Sequence, residues 1–279
     1  MLLHAPAKLN LCLYLGRVRD DGLHELCSLF EPLALADLIT VTPAEGDEVI
    51  CPGIEGENLA AKALAALRER GWEREPLRVE IEKRVPIAAG LGGGSGDAAA
   101  ILQLAAGEVS NLTELAARLG ADVPSQLRPS LALVRGAGEH VFPLPNPVEH
   151  AAVLLPGGGG LSTAAVFAEA DRLGLGREPV ELDELATQLR QVAGAGDSPL
   201  DYPEMLVNDL EPAALSLRPD IGAALEELRG AGAPVAILGG SGPTAVGLFP
   251  DLAAAQAAAE KLDADDVIVC AAGSGRLAP

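Results

Sequence analysis

The most constraining feature of this sequence runs from Leu77 to Ala100. LRVEIEKRV (residues 77–85) alternates apolar and polar side chains with the period of a strand. It passes into PIAAGLGGGSGDAAA (residues 86–100), where four of the five residues from Gly90 to Gly94 are glycine, and the run beginning at Asp97, DAAAILQLAAG, reads as a helix. A strand, a glycine loop and a helix in this order place unpaired backbone N–H groups and the positive end of a helix dipole at one point, which suits a phosphate. The stretch matches neither GxxxxGK[ST] nor GxGxxG in any register. Taken alone, it is as well suited to a tight packing turn as to an anion site.

The surrounding pattern is that of an α+β protein. AKLNLCLYL (residues 7–15) alternates as a strand with Lys8 and Asn10 on one face, and a turn at RDDG leads to extended segments at His24–Phe30 and Leu38–Thr42. A helix follows over Asn58–Arg70. Another is announced by Asn111 and Glu114 at capping-box spacing and stopped by Gly120, leaving Asp122 at a junction in GADVP. Prolines cluster in PLPNP (residues 143–147), which predicts one domain over residues 1–147 and a second over 148–279. The second half carries helices after Ser162 and over Glu181–Val192, Asn208–Leu217, Pro219–Arg229 and Leu252–Leu262. Its strands are AAVLLP, PVAILGG, TAVGLF and VIVC.

The 279 residues are 49% hydrophobic, enough for one large or two ordinary cores. A net charge of −20 argues against nucleic acid and anionic membrane as partners, so a phosphorylated ligand needs locally placed cations. Only four of the 20 cationic residues are lysines (8, 62, 83 and 261), which draws attention to Lys8 and Lys83. The four cysteines form no CxxC pair and no zinc-type cluster, so no protein-built metal site is expected. Reduced, packed thiols, the absence of a leader pattern in MLLHAPAKLN and the lack of a long apolar run lead to the expectation of a cytoplasmic protein, a monomer or homodimer.

APAKLNLCLY (residues 5–14), DGLHEL (21–26), GLGGGSGDAAA (90–100), GADVP (120–124) and LGGSGPTAVGLF (238–249) occur in the order and approximate spacing of one enzyme family. With NDLEPAA (208–214), the chain resembles the 4-diphosphocytidyl-2-C-methyl-D-erythritol kinases of the GHMP kinase superfamily over nearly its whole length. The glycine loop and the last motif are general to the superfamily; APAKLNLCLY and DGLHEL point to this member. The resemblance implies an N-terminal domain like ribosomal protein S5 domain 2 and a ferredoxin-like C-terminal domain. It further implies transfer of the ATP γ-phosphoryl group, with Mg²⁺, to the 2-hydroxyl of a cytidine-diphosphate-linked methylerythritol in the non-mevalonate route to isoprenoid precursors.

Carried over residue by residue, the resemblance makes Asp122 the general base and Lys8 the cation beside it, with Asn10 orienting the substrate. Pro86, Ala88, Ala89, Gly90, Leu91, Gly92, Gly93, Gly94, Ser95 and Gly96 would cradle the ATP phosphates, while Asn58 and Lys83 match positions lining the adenine pocket. A helix cap and a solvated strand end are the plainer roles for those last two. His24 would read the cytosine edge, Thr163 and Phe167 contact the cytidine, and Gly240, Ser241 and Gly242 close over the substrate diphosphate. A surface histidine, a core aromatic and a hairpin turn are the corresponding alternatives.

The chain also departs from the family pattern. Leu23 stands where DGYH has tyrosine, Gly96 replaces the second serine of GGGSSD, and SQLRPS follows GADVP. Two other readings remain in view: a kinase of the same superfamily acting on homoserine or a mevalonate-type alcohol, and a nucleotide-binding homologue without catalysis. A serine hydrolase built on Ser95 or Ser241 is disfavoured, because neither serine lies in GxSxG.

Overall fold

The computed structural model describes residues 1–54 and 56–273. It is α+β, as the mixture of patterns implies. Two long antiparallel strands, β1 (Leu2–Val18) and β2 (His24–Pro43), form its spine. The segments His24–Phe30 and Leu38–Thr42, which read as separate, belong to one 20-residue strand. Alternation is lost between them because both faces are covered: the adjacent residues Phe30 and Glu31, and again Ala36 and Asp37, are all buried. Irregularities in the β1–β2 register at Pro6/Lys8 and Asn10/Cys12 accompany this long pairing.

β2 serves several neighbours in succession. β5 (Ala132–Gly136) pairs with its first part, β10 (Ile268–Ala272) meets it at Leu33, and β4 (Leu77–Glu82) pairs with its end. The sheet extends through β3 (Glu48–Ile50) beyond β4 and β6 (His140–Pro143) beyond β5. On the other side it continues from β10 to β7 (His150–Leu155), β9 (Ala245–Phe249) and β8 (Val235–Leu238). Hydrogen bonding therefore runs without a break across residues 147/148. A shared cluster including Leu9, Leu29, Leu33, Leu154, Leu189 and Leu248 also joins the two halves. β3, β5 and β6 are short strands whose alternation spans too few residues to register in the sequence.

Helices cover the sheet according to their apolar spacing. α1 (Leu59–Glu69) is capped by Asn58, whose Oδ1 accepts from Ala60 N (2.8 Å) and Ala61 N (3.3 Å), and it buries Ala60, Ala63, Leu64 and Leu67. It packs on α2 (Gly93–Gln103), near α3 (Leu112–Leu119) and the single turn α4 (Val123–Gln126). The expected capping box at Asn111 does not form. Asn111 has φ +58°, whereas an N-cap needs extended backbone, and Glu114 instead pairs with Arg118 at 2.6 Å. In the second half α5 (Thr163–Leu173), α7 (Glu211–Leu217), α8 (Asp220–Ala231) and α9 (Leu252–Ala259) share a core with one face of β7 and β9. α6 (Pro179–Ala193) packs its Leu182 and Leu189 into the shared cluster instead. No described helix is long and apolar enough to cross a membrane.

One buried charged pair fastens the seam. His150 Nε2 on β7 lies 3.1 Å from Glu31 Oε2 on β2, and its Nδ1 lies 3.0 Å from Val148 O, with both side chains almost fully enclosed. Two acceptors facing two ring nitrogens are satisfied by an imidazolium. Burial works against that charge, but Glu31 and the carbonyl outweigh it and raise the His150 pKa above the ordinary histidine value. A raised histidine pKa contributes stability that is fully present below the unfolded pKa of about 6.5 and is lost as pH rises through the folded value. Urea unfolding is therefore expected to show stability falling from pH 6 towards pH 9. His150→Gln should flatten that slope and cost about 3–5 kcal/mol at pH 6; an unchanged slope would remove the pair from this role.

Candidate active site

A cleft of about 1000 Å³ lies between the halves, lined by β1, the loop before α2, the α3–α4 junction, α5 and the β8–β9 turn. Its floor is the glycine segment. Gly90 (φ +76°) and Gly92 (φ +69°) adopt left-handed backbone, and Gly92 is the N-cap of α2. The helix begins at Gly93, four residues earlier than its apolar run announces. Burial of Ala98, Ala99, Ile101 and Leu102 offsets the low helix propensity of the glycines. No side chain caps α2, and Gly96 N donates to Gly92 O at 2.9 Å, leaving the amides of Gly93, Gly94 and Ser95 directed at the cleft end without helical partners. Pro86, Ala88, Ala89 and Leu91 line the same wall.

Gly96 stands apart from the rest of the expected cradle. It is buried on the opposite side of α2, where a Cβ would stand 3.0 Å from Pro6 O, so it allows the helix to approach β1 and does not line the cleft. The missing hydroxyl at this position is therefore not missing from the cradle.

Beneath the loop, Lys83 is not a solvated strand end. Its Nζ donates to Asp97 Oδ2 (2.8 Å) and to Asp37 Oδ2, while Asp37 Oδ1 accepts from the backbone N–H of Arg84 (2.6 Å) and Val85 (2.8 Å). Burial works against the Lys83 ammonium, but the two carboxylates outweigh it and hold its pKa above the usual range. Burial pushes Asp97 up, against the pull of Lys83. Lys83, Asp97 and Asn58 all border the cleft, so Asn58 is both a helix cap and a cleft residue. The Asp37–Lys83–Asp97 group joins three elements distant in sequence. Its one signal in the sequence is the scarcity of lysine that draws attention to Lys83.

Lys8 and Asp122 come together beside the N-terminus of α2. Lys8 Nζ stands 3.2 Å from Asp122 Oδ2, donates to Asn10 Oδ1 (2.6 Å) and lies 4.5 Å from the centre of the Phe30 ring. A Cβ on Gly92 would fall 2.8 Å from Lys8 Cγ, so the loop and the lysine are in direct contact. The lysine side chain is 6% exposed and the aspartate 32%, which puts the carboxylate at the open face of the cleft and its cation behind it. Asn10 is more constrained than expected: its Oδ1 receives Lys8, and its Nδ2 donates to Ser28 Oγ at 3.0 Å. It orients Lys8 and is steadied by Ser28, while a second lone pair on Oδ1 and a second N–H on Nδ2 remain for a ligand in the cleft that it lines. The alternation that marks Lys8 and Asn10 as one face is correct, but that face is interior.

The opposite end is built from β2 and α5. His24 and Phe167 have ring centroids 5.0 Å apart at 48°, and His24 Nε2 lies 2.8 Å from Asp171 Oδ1. Asp171 escaped the sequence reading, although Thr163, Phe167 and Asp171 recur every fourth residue and so share one helix face. Thr163 Oγ1 and Ser241 Oγ share a hydrogen bond of 2.9 Å, linking α5 to the β8–β9 turn. Gly240 and Ser241 line the cleft; Gly242 does not. A Cβ on Gly242 would stand 3.0 Å from Leu238 Cδ1, because this residue packs into the core beside Leu161 and Ile221. Leu23, at the rim, is 53% exposed.

The geometry combines an uncapped helix N-terminus, a carboxylate backed by an ammonium, and a separate ring-lined pocket within one cleft. Among the described residues no group of three or more His, Cys, Asp or Glu side chains could hold a metal ion. Within the cleft, the Ser95 hydroxyl on the first turn of α2 is an oxygen of the kind a nucleotide-carried divalent ion would take.

Residues 58–128 match the family model described as GHMP kinases N terminal domain, and residues 201–267 that described as GHMP kinases C terminal. A 4-diphosphocytidyl-2-C-methyl-D-erythritol kinase of Kineococcus radiotolerans is 39% identical over 278 residues, covering 93% of this chain and 84% of that protein. The protein of the same name from Anaeromyxobacter dehalogenans is also 39% identical, over 91% of this chain and 82% of its own length. A crystal structure of a 4-(cytidine 5'-diphospho)-2C-methyl-D-erythritol kinase superposes with TM-score 0.81 at 34% identity, covering 99% of this chain and 100% of the other. A homoserine kinase from Cytophaga hutchinsonii, 19% identical with TM-score 0.67 over 98% of this chain and 94% of its own, shares the fold. By these likenesses the chain belongs to the 4-diphosphocytidyl-2-C-methyl-D-erythritol kinases of the GHMP kinase family.

Proposed function

We propose that this chain transfers the γ-phosphoryl group of ATP to the 2-hydroxyl of 4-diphosphocytidyl-2-C-methyl-D-erythritol. The observation that carries the reading is the Lys8–Asp122 pair set against the uncapped N-terminus of α2. The amides of Gly93, Gly94 and Ser95 receive phosphate oxygens, and the helix dipole favours their charge. Asp122 accepts the proton of the acceptor hydroxyl as the oxygen forms its bond to the γ-phosphorus. The bond between that phosphorus and the β,γ-bridging oxygen breaks, and ADP leaves with the electron pair. Lys8 keeps Asp122 oriented and supplies positive charge where charge develops on the transferred group. His24 and Phe167 hold the cytosine, with Asp171 fixing the imidazole; Thr163, Gly240 and Ser241 contact the remainder of the acceptor.

Positive side chains in the cleft are few. Lys8 is matched by Asp122, and Lys83 by Asp37 and Asp97. The phosphates thus depend on backbone amides and on a divalent ion, Mg²⁺ in this proposal, which when bound to ATP neutralises phosphate charge. Purified protein supplied with ATP, Mg²⁺ and the cytidine-diphosphate acceptor is expected to release ADP and form the acceptor monophosphate. Absence of ADP with that acceptor, together with release on homoserine or mevalonate, would overturn the substrate assignment while keeping the kinase.

A further inference from the structure

The segment around Asn208 joins β1 to the β8–β9 turn. It is fastened to β1: Leu13 N donates to Val207 O and Asp209 N to Leu13 O, both at 2.8 Å. Asp209 secures the attachment, accepting from Leu15 N (3.0 Å) and from Arg177 Nε (2.6 Å) and Nη2 (2.7 Å). The strand that carries Lys8 therefore also fixes Asn208.

From this anchor the buried Asn208 side chain reaches the β8–β9 turn. Its Nδ2 donates to Leu238 O (2.9 Å) and Gly240 O (2.7 Å), and its Oδ1 accepts from Leu210 N (2.9 Å). Within the turn, Gly242 N donates to Gly239 O at 2.9 Å and Gly239 N to Thr244 O at 2.8 Å. The carbonyls of residues 238, 239 and 240 are thereby all engaged. The N–H groups of Gly240 and Ser241, residues that line the cleft, have no acceptor among the described residues. A carboxamide supplies two N–H donors in one plane while its oxygen still accepts; aspartate offers acceptors only, and leucine neither.

We propose that Asn208 is a positioning residue for the acceptor, holding the carbonyls of the turn inward so that the Gly240 and Ser241 amides face the anionic diphosphate. The role rests on the acceptor reading given above. It differs from general support of the fold, because it concerns one substrate and not the other.

Asn208→Ala and Asn208→Asp test it by steady-state kinetics beside thermal unfolding. In folded variants the acceptor KM is expected to rise about 10- to 100-fold, more for Asp because its carboxylate faces two carbonyls. The ATP KM is expected to stay within about twofold. An unchanged acceptor KM, or an equal rise in both, would overturn the proposal. Should neither variant fold, amide exchange on the unmutated protein decides. CDP is expected to slow exchange at Gly240 and Ser241, an ATP analogue alone is not, and no CDP effect there would overturn it. If the unmutated protein transfers no phosphoryl group to the acceptor, the substrate reading fails, while CDP-dependent exchange at Gly240 and Ser241, compared between the unmutated protein and Asn208→Ala, still judges Asn208.

Discussion

Asp122→Asn is expected to lower kcat by about 10²- to 10⁴-fold while leaving the ATP KM near its unmutated value. Asparagine keeps the size of the side chain, and the main-chain anchor is unaffected, since Ser125 Oγ donates to the Asp122 carbonyl at 2.8 Å. What disappears is a carboxylate able to take the hydroxyl proton, together with the charge facing Lys8. Replacement leaves the buried Lys8 ammonium with Asn10 and the Phe30 ring but, among the described residues, with no carboxylate in ion-pair range, so a fall in the thermal midpoint accompanies the loss of kcat. Stopped-assay turnover at saturating substrates checks this. Equal kcat in both proteins would take Asp122 out of the proton-accepting role and leave positioning as the main source of rate.

Gly90→Ala is the second large effect, and it acts through the backbone. Gly90 has φ +76°, and a Cβ there would run into Gly239 O, with Gly242 O only 3.0 Å away. These neighbours are main-chain atoms of the β8–β9 turn, so no side chain can swing aside. The turn is itself tied to the loop by Thr244 Oγ1, which donates to Ala89 O at 2.7 Å. Strain from φ together with overpacking predicts a loss of about 2–5 kcal/mol in urea unfolding. The KM values for ATP and for the acceptor are expected to rise together, because Gly90 is where the nucleotide loop and the acceptor turn cross. Unaltered stability and kinetics would show that the crossing is looser than these distances require.

That crossing also marks where reading the sequence stops. LRVEIEKRV and the apolar spacing in NLAAKALAALRER identify their strand and helix because local period and burial agree over enough residues to register. At Asn111 the capping spacing is present, but the backbone is left-handed and the box is absent, since the path of the chain from α2 into α3 sets that φ. The long β2 is hidden for a related reason: a strand enclosed on both faces carries no alternation to detect.

The candidate site divides in the same way. Glycines, Lys8, Asp122 and His24 are visible through motif order, yet Gly96 and Gly242 belong to motifs without reaching the cleft. A motif marks backbone that must pack closely as readily as backbone that must meet a ligand. Asp171 was accessible through its four-residue spacing from Phe167, whereas Asp97 and Asn208 acquire their roles from partners 14 and 30 residues away or more.

The sequence by itself determined the α+β class, the glycine loop at a strand-to-helix passage, the family, and the residue types needed to move a phosphoryl group. Tertiary structure alone decided that Lys8 meets Asp122, that Lys83 serves two buried carboxylates, and that Asn208 donates to two carbonyls of a distant hairpin. The physical reason is range. Hydrophobic period and turn chemistry act over a few neighbouring residues, whereas a buried polar group takes its function from whichever partners the folded chain brings within about 3 Å.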